Sequence, residues 1–247
     1  MFRLVAFLLL AMAMAAPPEL RAQPAASDAL RGGRELMSAV QLNYPEDHSR
    51  IMEALGRHSA EHPDDPVGRA SLAHQMLLEF FRRRADGLAN APASLVNEIV
   101  GRHRLLLRLL AKDDVPLCAD LANNFLIGRF DLPAFYQDRA TSLSVLIVRA
   151  AREGEKLPRD PARSGLAAED ATRWYEELLR VEPSSDIQAA IAADSAAASS
   201  SPEMQCRVGA AIYGAMENLP PENAANVGAF FLAQALAEAG REHGPNP

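Results

Sequence analysis

Asn90-Ala91-Pro92-Ala93-Ser94-Leu95-Val96-Asn97-Glu98-Ile99-Val100-Gly101-Arg102-His103-Arg104-Leu105-Leu106-Leu107-Arg108-Leu109-Leu110-Ala111-Lys112 is the stretch in which the chain shows its period most openly. Asn90-Ala91-Pro92 breaks whatever precedes it. Leu95, Ile99, His103, Leu106, Leu107 and Leu110 then recur at helical spacing, with Arg104, Arg108 and Lys112 on the other side. Such a pattern buries one stripe and leaves the other in water.

The same grammar repeats outward in both directions. A first helix is expected around Asp28–Leu42, its start weakened by Gly32-Gly33, and Tyr44-Pro45 ends it. Glu46 and Asp47 put carboxylates at the next N-terminus, where the helix dipole favours them. Ile51, Met52, Ala54 and Leu55 line one face of that helix. Asp65 is then the expected N-cap and Pro66 the first residue of a helix carrying Leu72, Met76, Leu77, Phe80 and Phe81.

Beyond Lys112, Asp114-Val115-Pro116 opens a helix that Gly128 is expected to close. Asp131-Leu132-Pro133 opens a long one, apolar enough to be central, running to about Ala151. Glu153–Ser164 reads as a loop because Gly154, Pro158 and Pro161 fall in it. Ala167–Val181 is helical, with Trp174, Tyr175, Leu178 and Leu179, and Pro183 stops it. Ala189–Ser200 is rich in alanine and serine and reads equally as exposed helix or linker. Ser201-Pro202-Glu203 and Pro220-Pro221-Glu222 are helix starts, the last helix burying Val227, Phe230, Phe231, Leu232 and Leu236. No convincing strand appears. The expected fold is an all-α array of about eight or nine helices joined by short Pro/Gly-broken loops.

The two ends are read differently. Arg3 followed by the apolar run Leu4–Ala16, then Pro17-Pro18 and small residues through Ala26, has the layout of a cleavable secretory signal. The run is about thirteen residues, short of the roughly 20 that span a bilayer. Cleavage is expected after Ala15, Ala16, Ala22 or Ala26. Residues 1–26 are thus leader, 27–240 a single helical domain and 241–247 a frayed tail. The mature chain carries no expected transmembrane span, and its expected address is the periplasm or the exterior.

That address gives meaning to the two cysteines, Cys118 and Cys206. In an oxidising compartment an even count points to a disulfide, and no Cys-x-x-Cys is present to poise a thiolate. Closing a loop of this length would stabilise the fold by about 4–5 kcal/mol in the chain-entropy model. The bridge would set two helix N-termini side by side.

A net charge of −7 argues against nucleic acid as a partner. The charge is uneven, however. Between Val67 and Lys112, Arg69, Arg82, Arg83, Arg84, Arg102, Arg104, Arg108 and Lys112 are opposed by Glu79, Asp86 and Glu98 alone. Arg82, Arg83, Arg84, Arg104, Arg108 and Lys112 form the candidate interaction surface for an anionic partner; the plain alternative is a solvated helix face.

Two further readings bear on function. His58-Ser59-Ala60-Glu61-His62 matches the H-x-x-E-H zinc-peptidase pattern, with His58 and His62 as ligands and Glu61 as base, but Pro63 stops the helix immediately. Phe80, Phe125 and Phe230 could instead surround an apolar ligand. Fragments ending at Pro183 and starting at His62 resemble parts of tetratricopeptide repeats, yet their separation is not a multiple of the roughly 34-residue period. The leading expectation is a helical binding or interaction module without catalysis or cofactor, with a small metal-dependent hydrolase as the alternative.

Overall fold

The computed structural model describes residues 32–124, 132–158, 165–192 and 201–238. The leader, Phe125, Gly128, Asp131 and the tail lie outside the described residues. Those described are mostly helical, with no strand among them.

Residues 32–43 form α1; α2 is Pro45–Glu61, α3 Pro66–Arg83, α4 Ala85–Ala89 and α5 Ala93–Asp113. Then follow α6 (Val115–Asn124), α7 (Ala134–Glu155), α8 (Ala168–Val181), α9 (Ser185–Ala192), α10 (Pro202–Ala215), a 3₁₀ turn at Met216–Asn218, and α11 (Pro221–Glu238). Ala189–Ala192 therefore belongs to α9, and 193–200 lies outside the described residues.

The local signals work as their chemistry dictates. Asp65 Oδ1 accepts from the Gly68 amide at 2.8 Å, with Pro66 in the first turn of α3. Ser201 Oγ accepts from the Met204 amide at 3.3 Å at the head of α10. Asp114 Oδ1 accepts from the Leu117 amide at 3.0 Å at the head of α6. Each satisfies an N–H that the first helical turn leaves without a partner.

The central helix is α7, with buried residues on most of its faces, among them Leu143, Leu146, Ile147 and Val148. It runs four residues past Ala151, so Glu153–Glu155 is helix and not loop. Gly154 explains the difference. A Cβ built there would lie 1.9 Å from the Gly87 carbonyl oxygen, and one built on Gly87 would lie 2.7 Å from that of Ala151. The glycines mark a backbone-to-backbone crossing of α4 and α7, not a break. Asn90 Nδ2 then donates to the Gly154 and Pro158 carbonyls at 3.0 Å each, holding the end of α7.

The continuous helix expected from Pro66 is divided at Arg84, which leaves α4 as a short separate turn set against α7. Gly32 fits the same principle. Its missing Cβ would clash with Thr141 Oγ1 at 2.6 Å, so the glycine that weakens the start of α1 also lets that start sit against α7.

Cys118 and Cys206 are bridged, with their Cα atoms 5.2 Å apart, and both are buried. The bridge joins the first turns of α6 and α10, which make the most extensive interhelical contact among the described residues. One turn beyond the bridge, a Cβ on Gly209 would stand 2.4 Å from that of Ala122, so small residues set the close approach.

Burial departs from expectation on the outward faces of α2 and α8 and along α11. Met52 is exposed, as are Tyr175 and Leu179 on α8, while Phe230 and Phe231 are half-buried. Trp174 carries the inner face of α8: its Nε1 donates to the Ile212 carbonyl at 3.2 Å and its ring packs on Phe231. No helix among the described residues is long and apolar enough to cross a membrane.

Candidate functional site

The six basic residues of the candidate surface fall in two places. Arg82, Arg83 and Arg84 close α3, and there the chain meets Asp47, which is 2 % exposed. Arg83 reaches Asp47 Oδ1 at 3.1 Å, Arg50 shares that oxygen, and Arg84 takes Oδ2. Arg84 also pairs with Glu155 at 3.1 Å and lies 4.3 Å over the Tyr44 ring. Burial works against the Arg84 charge, but the hydrogen bond and charge of Asp47, with Glu155, raise its pKa on balance. Arg82 pairs with Glu79 on its own helix. This end of the basic run ties α2, α3 and α7 together.

Arg104, Arg108 and Lys112 are arranged otherwise. On α5 the residues Leu95, Ile99, His103, Leu106, Leu107 and Leu110 all face the core, as the period requires. His103 is fully enclosed, its ring 4.4 Å from that of Tyr213, and burial holds its imidazole down at about 3, so it is neutral. That inward stripe leaves Asn97, Gly101, Arg104 and Arg108 in line on the outward side, at helical intervals of four, three and four. Arg108, Lys112 and the 54 % exposed Leu105 stand open to solvent.

The N-terminal half of this stripe forms one wall of a cleft of about 260 Å³. The opposite wall comes from the end of α10, the 3₁₀ turn and the start of α11, through Tyr213, Met216, Glu217, Leu219 and Pro221. On the α5 side the cleft lies open over Gly101, where a Cβ would meet nothing within 4 Å. Arg104 forms an ion pair with Glu217 across the mouth. Partial burial lowers the Arg104 pKa, and repulsion from Arg108 lowers it further. Asn97 Nδ2 donates to the Pro221 carbonyl at 2.9 Å. Its Oδ1 is enclosed and has no donor among the described residues. The cleft therefore sets the Arg104–Glu217 ion pair beside an apolar interval of Val100, Met216 and Leu219.

The other candidate residues do not join it. Helix α2 ends at Glu61, and His62 caps it in a non-helical conformation. The His58 and His62 rings are 5.0 Å apart, His58 Nε2 is 3.7 Å from Asp65, and Glu61 points to solvent. Among the described residues no group of three or more His, Cys, Asp and Glu side chains is placed to hold a metal ion. Phe80 is wholly buried against Tyr44 and Phe81, and Phe230 packs on Phe231; neither lines the cleft.

Sequence reasoning placed Arg104 on the outward face but missed its neighbours. Gly101 and Asn97 carried a faint signal, a glycine and an amide on the polar side of a helix that has no turn there. Glu217 carried none. No protein-family model, curated protein or solved structure matches this chain.

Proposed function

We propose that the chain is an exported helical binding module, held by the Cys118–Cys206 bridge and working without catalysis. Its binding face is the outward side of α5. The observation that carries this reading is the contrast within the basic run: Arg83 and Arg84 are committed to Asp47, whereas Arg108 and Lys112 stand exposed beside Leu105 and a cleft. Cations on a fold of net charge −7 offer an anionic partner a local attraction against an otherwise repelling surface. The disulfide supports an oxidising address, since such bonds persist in secreted and periplasmic proteins.

The test is a photo-crosslinking residue in place of Leu105, in cells that export the full chain, with Leu179 on α8 as the control position. The reading expects a discrete adduct at Leu105, absent from Leu179, that disappears in Arg108→Glu/Lys112→Glu. No adduct at Leu105, or one indifferent to charge reversal, removes it. Cell fractionation and N-terminal sequencing of the purified chain test the address: a protein retained in the cytosol with its leader intact contradicts export.

A further inference from the structure

We propose that the open side of the α5–α7 pair docks on an anionic lipid surface, with Leu105 and Phe135 entering the interface and Arg108, Lys112 and Arg139 meeting the headgroups. The inference rests on reading the outward side of α5 as a binding face, extends that face onto α7, and names the partner.

Two side-chain contacts bring the helices into one face. Arg102 of α5 donates to Ser142 Oγ of α7, and the Tyr136 hydroxyl of α7 donates to Asp113 of α5 at 2.5 Å. Residue numbers rise along one helix as they fall along the other, so the pair is antiparallel. Leu105 lies one turn from Arg102, toward Asp113. Phe135 lies seven residues before Ser142, and two turns of helix return it to the same line of α7. At 1.5 Å per residue, Leu105 and Phe135 are then about 6 Å apart along the helix axes. Both stand clear of the fold, 54 % and 50 % exposed.

The charges around them are mostly positive. Arg102 is committed to Glu98. Arg108 and Lys112 follow Leu105 along α5 and are exposed, and Arg139 lies 3.6 Å over the Phe135 ring. Among the described residues these last three cations form no ion pair. Asp113, engaged by Tyr136, and Asp138 are the acidic residues beside them. On a chain of net charge −7, such a face is drawn to an anionic leaflet that repels the rest of the surface.

The apolar side chains decide between a lipid surface and a protein. A face that receives a partner's anchor offers a packed hollow. Here the apolar groups project, and a bilayer interface admits projecting leucine and phenylalanine without a matching hollow. Arginine and lysine lay their stems along apolar surface while their heads reach outward, so Arg139 can keep Phe135 as its guanidinium meets a headgroup. Helix α8 supplies the contrast. Tyr175 and Leu179 are also exposed there, but Arg173 and Arg180 are paired to Glu169 and Glu177, and Glu176 leaves that face acidic.

Each cation near a charged leaflet is worth about fivefold in binding, and each half-exposed apolar side chain about the same on insertion. The product is a binding constant on the order of 10³–10⁴ M⁻¹, weak and reversible like that of a single acyl chain.

Sedimentation with sucrose-loaded vesicles tests this on the disulfide-bonded protein purified after export. With equal parts phosphatidylglycerol and phosphatidylcholine, half the protein should pellet at about 1 mM lipid, and salt of about 1 M should release it. Pure phosphatidylcholine should bind at least about tenfold more weakly. Phe135→Ser/Arg139→Gln should weaken binding about twentyfold at a native urea midpoint, whereas Tyr175→Ser/Leu179→Ser should leave it unchanged. The proposal is overturned by no pelleting with the anionic vesicles, by equal pelleting with pure phosphatidylcholine, or by binding that survives Phe135→Ser/Arg139→Gln. The Leu105 adduct is read separately by mass. An adduct of lipid mass supports the proposal, while a charge-dependent adduct to a polypeptide beside unbound vesicles removes the lipid assignment and leaves the binding face standing.

Discussion

Arg82, Arg83 and Arg84, and then Arg104, Arg108 and Lys112, belong to one basic run of chain, yet they meet opposite surroundings. In the first group Arg83 and Arg84 close α3 against Asp47, a carboxylate supplied by α2, with Glu155 of α7 behind it, while Arg82 pairs with Glu79. The second rides the outward side of α5, where Glu217 reaches Arg104 while Arg108 and Lys112 stand in solvent. Whether a cation builds the fold or stays in solvent is decided by what the distant chain brings to it. In the first group the shared Asp47 carboxylate is enclosed and Arg84 largely so, and loss of that carboxylate should destabilise the fold; in the second the cations Arg108 and Lys112 are open, and their removal should leave stability unchanged.

The strongest way to break this contrast is Asp47→Ala. It leaves Arg84, itself three-quarters buried, beside Arg83 without their shared counter-charge. A loss of about 3–5 kcal/mol in urea unfolding is expected, as for other buried pairs that lose one member. A loss under about 1 kcal/mol would make this cluster a surface ornament like any exposed pair. Next comes Cys118→Ala/Cys206→Ala. Opening the loop of 88 residues should cost about 2–4 kcal/mol, less than the full chain-entropy value, because the small-residue seam at Gly209 and Ala122 still joins α6 to α10.

Acid sharpens the picture of the inner face of α5. His103 titrates near 3 in the fold and at its ordinary 6.5 when unfolded. Between those values the unfolded chain holds the extra proton, so stability is full above about pH 6.5 and declines as pH falls toward 3. His103→Leu should remove that contribution. Its unfolding free energy should drop by about 2–3 kcal/mol less than that of the native chain between pH 7 and pH 4.5. Equal slopes would mean that His103 is protonated in the fold. The smallest effect belongs to Arg108→Gln/Lys112→Gln, expected to shift stability by less than about 0.5 kcal/mol.

What could be read from the sequence follows the distance over which each feature acts. Asp65, Asp114 and Ser201 cap amides three residues away, so their roles are visible in the local string. The helical faces of α5 and α7 are visible because period alone decides them. The bridge is visible because two cysteines leave one pairing. Asp47, by contrast, reads as a carboxylate placed for the helix dipole, and its partners Arg83 and Arg84 lie 36 and 37 residues on. Gly154 reads as a loop residue, since nothing nearby reveals that its missing side chain makes room for the Gly87 carbonyl. The cleft is assembled from α5, the end of α10, the 3₁₀ turn and the head of α11, and only its Asn97–Arg104 edge lies in one readable stretch.

The division of the basic run is tested most directly by the Leu105 adduct in Arg108→Gln/Lys112→Gln, measured on protein whose urea midpoint is that of the native chain. The account predicts that the adduct is lost while the midpoint stays. An adduct that persists at native yield would contradict it, and would return Arg108 and Lys112 to a solvated face.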